Sequence, residues 1–316
     1  MHSNSYKKLV RVIGVILSIV IITGGCNKKT QPAVFDTPTS GSINISVDES
    51  FKPVIDEQIK VFESSFAGAK INVHYKPEAE CLKDLINDSA TKMVIVTRGL
   101  NAKEVRYFED SMSYIPRYDK IATDAIAIVV NANSIDTIFT LKRLQDQLSG
   151  KLGNTQQIVF DGLSATSTVR FALDSILKGK SFDTNIVRAV KNSKDVLNYV
   201  ASDVNAIGLV GISWIGNPED TAQVSMLKKI KIAYVKCDFC GDSPYVKPNQ
   251  LSILTKRYPL VRGLFYILKE NYNGLGAGFV DFMQFERGQL IFKRAYLGSK
   301  MGFGIRDVKI NEKLVK

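Results

Sequence analysis

The stretch SINISVDESFKPVIDEQIKVFESSFAGAKINVHY, residues 42–75, decides the fold of this chain. Its first six residues alternate between polar and apolar side chains, which predicts a strand. Apolar residues then recur at helical spacing, with a proline in the first turn: Phe51, Pro53, Val54, Ile55, Ile59, Phe62 and Phe66. The last six residues, KINVHY, alternate again. The stretch therefore predicts a strand, a helix and a second strand.

Strand and helix patterns continue to alternate along the chain. A short helix at 81–86, a buried strand at 92–96 and a polar helix at 101–110 follow, and the apolar run 121–131 is typical of a strand that passes from one domain into another. The segments 258–272 and 275–286 predict two C-terminal helices. The fold class is therefore α/β, with mostly parallel sheets flanked by helices and ligand sites at the carboxyl ends of strands.

The N-terminal segment has the pattern of a secretion signal. Three basic residues precede an apolar run at 12–22 that is too short to span a bilayer. Small residues then lead to Cys26, which resembles the lipobox cysteine of bacterial lipoproteins, although Thr23 departs from the usual aliphatic residue. The alternative is a short uncleaved anchor. Both interpretations place the body at a membrane surface, outside the cytoplasm.

The polar segment after the signal predicts a tether. Residues 26–42 contain Pro32, Pro38 and the sequence TPTSGS, without a packing pattern. The signal peptide would then be residues 1–25, and the folded part begins near Ile43. About 270 residues remain, enough for a large core and about two domains.

The net charge points to no nucleic-acid partner. Of the 42 Lys and Arg residues, three lie in the signal, which leaves 39 against 31 Asp and Glu and a net charge of +8. No cluster of basic residues interleaved with aromatic residues stands outside the signal, so the basic residues indicate a solvated surface. Attraction to anions or to an anionic membrane remains open.

The cysteines and histidines exclude several kinds of site. Cys237 and Cys240, in KCDFCG, either form a small disulfide or are two free thiols. His74 is the one histidine outside the signal and lies in a predicted strand. This number of ligands is too small for a zinc site, a histidine-based triad or a metallohydrolase motif. We therefore predict no catalytic residue, no metal and no cofactor, and a hydrolase is the weaker hypothesis.

Three junctions between a strand and a helix carry hydroxyl groups or an arginine: VDESF at 47–51, TRGL at 97–100 and ATSTVR at 165–170. A helix start that combines backbone N–H groups, hydroxyl donors and a guanidinium is suited to binding an anion. The alternative is that the serines and threonines only cap helices and that Arg170 is solvated.

The chain resembles the phosphate-binding proteins of ABC importers in ESFKPVI, VTRGLNAKE, LSATSTVRF, VNAIGLVG and RYPLVRGLFYIL. The resemblance covers most of residues 43–294 and implies a two-lobed periplasmic-binding-protein clamp of type II. Lobe 1 would hold residues 43–129 and 247–316, and lobe 2 residues 130–246. It further implies a monomeric lipoprotein, lipid-anchored in the cell envelope on the extracytoplasmic side, that captures inorganic phosphate and delivers it to the membrane subunits of an ABC importer.

The resemblance also implies which residues bind phosphate: Ser50, Phe51, Thr97, Arg98, Thr166, Ser167, Thr168 and Glu80. Arg98 would supply fixed positive charge. An acidic acceptor would select hydrogen phosphate over sulfate, which brings no proton. The candidate acids are Asp48, Glu49, Glu78 and Glu80. The alternatives are that Ser50 is a plain cap, that Arg98 forms a surface ion pair and that the acids point to water.

A rival function remains open. The sequences DES and KPEAEC stand where members of that family carry small residues in the first two loops. The rival is a membrane-anchored sensory or scaffold module with the same fold, which binds another oxyanion, such as sulfate or molybdate, or none.

Overall fold

The computed structural model describes residues 36–153, 156–162 and 166–302. The predicted signal peptide and Cys26 lie outside the described residues, so lipidation stays a prediction. Within the described part of the chain, no helix combines the length and the hydropathy needed to cross a membrane.

The strands alternate with helices along most of the chain. The strands are β1 Ser40–Asp48, β2 Gly68–Lys76, β3 Thr91–Val96, β4 Arg117–Asn131, β5 Ile138–Phe139, β6 Gln157–Phe160, β7 Val187–Ala189, β8 Ala206–Gly211, β9 Ile230–Ile232, β10 Tyr234–Lys236, β11 Tyr245–Val246, β12 Val261–Leu268 and β13 Gly298–Ser299.

The α-helices are α1 Lys52–Ser65, α2 Glu78–Asn87, α3 Ala102–Met112, α4 Leu141–Leu148, α5 Ser167–Phe171, α6 Ser193–Ser202, α7 Thr221–Met226, α8 Gln250–Leu254, α9 Leu275–Gln284 and α10 Glu286–Arg294. Short 3-10 turns at Glu49–Phe51 and Ile212–Trp214 follow β1 and β8, and a π-helical turn at Ala172–Ile176 continues α5.

One main sheet runs through the molecule in the order β2-β1-β3-β12-β4-β8-β6-β7, and β9 and β13 also pair with β4. The long strand β4 joins two halves of this sheet. Its residues 117–125 pair with β12, whereas residues 126–130 pair with β8. We call the part from β2 to β12 the first half and the part from β8 to β7 the second half. The prediction of an α/β fold with a mostly parallel sheet flanked by helices is confirmed.

The strand directions place the site at the middle of β4. β1 and β3 are parallel, and β12 is antiparallel to both β3 and β4, so β1, β3 and β4 point the same way. β8 is antiparallel to β4, and β6 is parallel to β8. The carboxyl ends of β1 and β3 therefore face those of β6 and β8 across the middle of β4, where ligand sites of such sheets occur.

One predicted helix is wrong. Within the segment 258–272, residues Val261–Leu268 form β12, which lies between β3 and β4 in the first half. Its burial alternates at the start and is continuous at the end, as in a strand with neighbours on both sides. β-Branched and aromatic side chains favour this assignment over a helix. The second predicted helix, at 275–286, is present as α9 over Leu275–Gln284.

The cysteine alternatives are resolved in the structure. Cys237 and Cys240 form a disulfide at the end of the small sheet β11-β10-β5. Cys81 is a free, buried thiol on α2, and burial raises its pKa well above the usual range.

Candidate functional site

Arg262 lies at the centre of a buried polar cluster at the middle of β4. It stands on β12 directly opposite Asp124 of β4, and its Nε donates to Asp124 Oδ2 at 2.7 Å. Its two terminal nitrogens donate to the hydroxyls of Ser167, at 2.8 Å, and Ser50, at 3.0 Å. Burial alone would lower the pKa of Arg262, but Asp124 and Asp48 outweigh that effect and raise it. The cluster therefore contains a permanent cation that solvent hardly reaches.

The first half contributes the end of β1 and the turn that follows. The hydroxyls of Ser50 and Ser167 lie 3.3 Å apart, so the two halves of the sheet touch at these side chains. The Phe51 ring packs on the Arg262 guanidinium, with 5.0 Å between the guanidinium carbon and the ring centroid. Gly211 of β8 permits the close approach of β8 to the Ser50 backbone, because a Cβ atom at position 211 would lie 3.0 Å from the Ser50 carbonyl oxygen. Two of the predicted binding residues, Ser50 and Phe51, are thus in the cluster.

Asp48, the last residue of β1, has an unusual environment. Its Oδ1 accepts from the Ser50 backbone N–H at 3.0 Å, which makes Asp48 the cap of the turn. Within the described residues its Oδ2 is buried and has no hydrogen-bond partner. Burial raises the pKa of Asp48 to about 7, although the charge of Arg262 acts in the opposite direction. This oxygen is therefore an acidic position that a ligand could satisfy.

The second half contributes the start of α5. Ser167, Thr166 and Thr168, three of the predicted binding residues, are all buried there. The Thr166 and Thr168 hydroxyls donate to the two oxygens of Asp161, at 2.9 and 3.3 Å, and Thr166 Oγ1 also caps the Val169 N–H. A hydroxyl has one proton to donate. Of these three hydroxyls, that of Ser167 alone faces Arg262 and Ser50.

A second group of polar contacts lies beside this cluster. Glu78, the first residue of α2, accepts from the Thr97 N–H at 2.9 Å and from the Thr97 hydroxyl. Its other oxygen accepts from Arg170 Nε of α5 at 2.7 Å, so the contact joins the two halves of the sheet. Burial would raise the pKa of Glu78, but the Arg170 hydrogen bonds and charge, with those of Thr97, lower it. Thr97 is therefore bonded to an acid of the protein itself.

Two further contacts hold the halves together. Glu49 accepts from the Ser193 backbone N–H and from its hydroxyl, the latter at 2.7 Å, at the start of α6. Burial raises the pKa of Glu49 to about 7, and the Ser193 bonds oppose the shift. The Ser213 hydroxyl donates to the Ser50 carbonyl oxygen at 3.2 Å.

The structure does not bring Arg98 and Glu80 into the cluster. The Arg98 guanidinium is bonded to both Glu104 oxygens at 2.7 Å, so Arg98 forms the ion pair that the sequence analysis gave as its alternative role. Glu80 is exposed on the first turn of α2, because the helix turns Glu78 inward instead. Arg262 and Arg170 supply the positive charge that the sequence analysis expected from Arg98.

Sequence reasoning missed Arg262 and Asp124. Arg262 was placed in a predicted helix, and Asp124 in a strand without a partner. A single arginine in the short apolar run LVRGLFYIL, and a single aspartate in IATDAIAIVV, were the available signals. A charge inside an apolar strand is seldom buried unless it is paired.

Within the described residues, no group of three or more His, Cys, Asp and Glu side chains is arranged to hold a metal ion.

Solved structures with a similar fold include binding proteins and a regulatory domain. A protein from Clostridium perfringens, assigned as a phosphate ABC transporter substrate-binding protein and solved with bound phosphate, is 20% identical, with a TM-score of 0.68 over 83% of this chain and 100% of that one. An ABC-type phosphate transport receptor from Vibrio cholerae is 16% identical, with a TM-score of 0.58 over 81% and 99%. The OxyR2 regulatory domain from Vibrio vulnificus is 8% identical, with a TM-score of 0.50 over 78% and 96%. At these low identities, the structural similarity shows a shared fold alone.

The sequence itself gives the family. No curated protein matches the chain. The family model of the PBP superfamily domain matches residues 34–287, which is well over half of the sequence. This match confirms the predicted periplasmic-binding-protein fold, and the chain belongs to the PBP superfamily.

Proposed function

We propose that this protein is an extracytoplasmic solute-binding protein that captures inorganic phosphate between two lobes and delivers it to an ABC importer. The observation that carries the proposal is the buried Arg262 guanidinium, which holds one serine hydroxyl from each half of the sheet. A desolvated oxyanion needs both a cation and several donors, and this arrangement provides them from both halves of the sheet. The phosphate-binding proteins with the same fold support the choice of solute.

Asp48 is the acceptor that would favour phosphate. Its partnerless oxygen lies in the cluster with Ser50, Ser167 and Arg262. Hydrogen phosphate can give its proton to a carboxylate, whereas sulfate has none to give and leaves two negative groups in contact. Of the four candidate acids, Asp48 therefore replaces Glu80 in our proposal.

Binding requires the halves to separate. The Ser50 and Ser167 hydroxyls are 3.3 Å apart. An anion oxygen that lies directly between the two hydroxyls, in line with both, needs them about 5 Å apart, which is twice an O–H···O distance. We infer that lobe 1, residues 43–129 and 247–316, and lobe 2, residues 130–246, move as a clamp that opens at this contact.

The location follows from the N-terminal sequence, and the monomeric state from the family resemblance. The protein is a monomer, lipid-anchored through Cys26 on the extracytoplasmic side of a membrane. The predicted tether, residues 26–42, is shorter than the sequence indicated, because β1 already begins at Ser40. Solute handed to the membrane subunits of an importer is released unchanged, so the protein binds its ligand and does not convert it.

Calorimetric titration tests the solute. The chain from residue 27 onward is titrated with phosphate, sulfate and molybdate, as wild type, Asp48→Asn and Glu80→Gln. We expect phosphate to bind the wild type at least about a hundredfold more tightly than sulfate. Asp48→Asn should reduce the ratio of phosphate affinity to sulfate affinity. Glu80→Gln, which changes an exposed acid, should leave that ratio unchanged. Sulfate binding more tightly than phosphate would overturn the proposed solute.

A second candidate function has one observation in its favour. The Thr97, Thr166 and Thr168 hydroxyls donate to carboxylates of the protein itself, namely Glu78 and Asp161. A sensory or scaffold module that keeps the fold but binds no anion would show such internal pairing. The absence of heat from all three anions at millimolar concentration would favour this module over the solute-binding protein.

A further inference from the structure

The Glu78 carboxylate occupies a complete set of anion donors. It accepts four hydrogen bonds: from the Thr97 N–H at 2.9 Å, from the Thr97 hydroxyl, and from Arg170 Nε at 2.7 Å and a terminal Arg170 nitrogen at 3.3 Å. A backbone N–H, a hydroxyl and a guanidinium are the groups that proteins use to bind a free oxyanion. Here the oxyanion belongs to a side chain.

The donors come from both halves of the sheet. Thr97 follows β3 in the first half, and Arg170 lies on α5, three residues after Ser167, in the second. Glu78 is 3% exposed, whereas 40% of the Arg170 side chain is exposed. The Glu78 carboxylate is therefore buried, whereas solvent reaches part of the Arg170 side chain. Arg170 also approaches the exposed Asp174, at 3.5 Å, where solvent screens the pair.

The carboxylate is close enough to the first cluster to affect it. Its charge acts on Asp48 and raises the pKa of that group. An anion held by Ser50, Ser167 and Arg262 would feel the same repulsion. The Glu78 group and an external anion therefore compete for one region of positive potential.

We propose that the Glu78 carboxylate is a tethered oxyanion, which fills an anion site formed by Thr97 and Arg170 and so keeps the two halves closed without a solute. The claim that Glu78 competes with phosphate rests on the function proposed above. The claim that Glu78 occupies the donors of Thr97 and Arg170 does not rest on it. Removal of the carboxylate leaves a vacant site for a small oxyanion. It also raises phosphate affinity, because less of the protein is held in the closed, ligand-free form.

Acetate is the probe for the vacant site. Glu78→Ala removes four heavy atoms, a methylene carbon and the carboxylate group, and acetate carries the same four. We expect saturating acetate to raise the Tm of Glu78→Ala by about 2 °C or more above the value in equal chloride, and to leave the wild-type Tm unchanged. The double variant Glu78→Ala with Arg170→Ala should lose this response, because the guanidinium is gone.

The phosphate titration supplies the second readout. Glu78→Ala should bind phosphate about tenfold or more tightly than wild type. Glu104→Ala is the matched control, because Glu104 likewise accepts from two nitrogens of one arginine, Arg98, but lies outside the cluster. It should leave phosphate affinity unchanged.

The possible results separate the two proposals. A folded Glu78→Ala whose Tm responds equally to acetate and chloride overturns the tethered oxyanion. If Glu78→Ala does not fold, Glu78→Gln, which keeps the volume and removes the charge, must show the tenfold rise in phosphate affinity, and an unchanged affinity overturns the proposal. If the wild type binds no phosphate while acetate stabilises Glu78→Ala, the proposed solute fails and the tethered oxyanion stands.

Discussion

The choice between Arg262 and Arg98 as the anion-binding cation can be tested with two matched substitutions. Arg262→Lys keeps the positive charge but replaces a planar fork with a single ammonium group. The fork now reaches Asp124, Ser50 and Ser167 in different directions, with bonds of 2.7 to 3.0 Å. One ammonium group on a flexible stem cannot hold all three, so we expect at least one charged hydrogen bond to be lost.

The magnitude follows from that loss. A hydrogen bond to a charged group contributes about 1.5 to 3 kcal/mol. Arg262→Lys should therefore weaken phosphate binding about tenfold to a hundredfold, and should lower the free energy of unfolding by about 2 kcal/mol. Arg98→Lys changes an ion pair of which 30% of the arginine side chain and 14% of the glutamate side chain are exposed. Its cost in stability should be about 1 kcal/mol, less than that of Arg262→Lys because solvent reaches the pair, and its effect on affinity negligible.

Isothermal calorimetry gives the phosphate affinity, and urea denaturation gives the free energy of unfolding. Both variants are compared with wild type at one pH and one ionic strength, because salt changes surface pairs more than buried ones. The reasoning is refuted if Arg98→Lys loses phosphate affinity and a folded Arg262→Lys retains it. In that case the position implied by the family resemblance would be right, and the cluster around Arg262 would be structural.

Three further predictions concern protons and the anchor. The pKa of Asp48 in the folded protein, about 7, lies above the ordinary value of 3.8. The stability that Asp48 contributes is therefore complete at low pH and is lost as the pH rises through 7. The free energy of unfolding should fall by about 2 to 3 kcal/mol between pH 5 and 8. The raised pKa of Glu49 lowers the free energy of unfolding over the same pH range. Urea denaturation of Asp48→Asn should give a flatter profile, and an equal slope would contradict the assignment. Hydrogen phosphate brings the proton that Asp48 shares, whereas sulfate brings none, so sulfate binding at pH 8 should take up a proton from the buffer and phosphate binding should take up fewer. The uptake is measured as the dependence of each binding enthalpy on the ionisation enthalpy of the buffer, and equal dependence for the two anions would count against the proposed role of Asp48. Cys26→Ser should leave an unprocessed precursor with altered fractionation, and normal maturation with membrane retention would disprove the lipid anchor.

Local patterns were sufficient to predict the first unit of the fold. The alternation in 42–47 and the helical spacing from Phe51 to Phe66 became β1 and α1, and KINVHY became β2, paired with β1 in parallel. Their sequences carry a clear period, although β1 is buried continuously over residues 45–48 and, like β12, lies between two strands. β12 lies between two neighbouring strands, and its run of apolar residues does not by itself distinguish a buried strand from a helix.

Sequence reasoning found residues of the candidate site whose position depends on their own loop, and missed those whose position depends on a distant partner. Ser50 and Ser167 lie at junctions of strands and helices, a position that a sequence shows directly. The pairing of Arg262 with Asp124 joins residues 138 positions apart through the register of β12 and β4. The same holds for Glu78 and Arg170, 92 positions apart. A sequence without homologues to compare gives no measure of such pairings.

The internal pairs also explain how an anion site can exist among so many acids. Asp124 is bonded to Arg262, Asp161 to two threonine hydroxyls, and Glu78 to Arg170 and Thr97. Each of these carboxylates has its charge offset or its oxygens occupied by a neighbour, so its repulsion of a ligand is reduced. Asp48 differs from them, because it has an oxygen without a hydrogen-bond partner within the described residues and, unlike Asp124, accepts no hydrogen bond from Arg262. An anion that reaches Arg262 must therefore share a proton with Asp48 or suffer its repulsion, and the protonation of the ligand, more than its size, decides whether it stays.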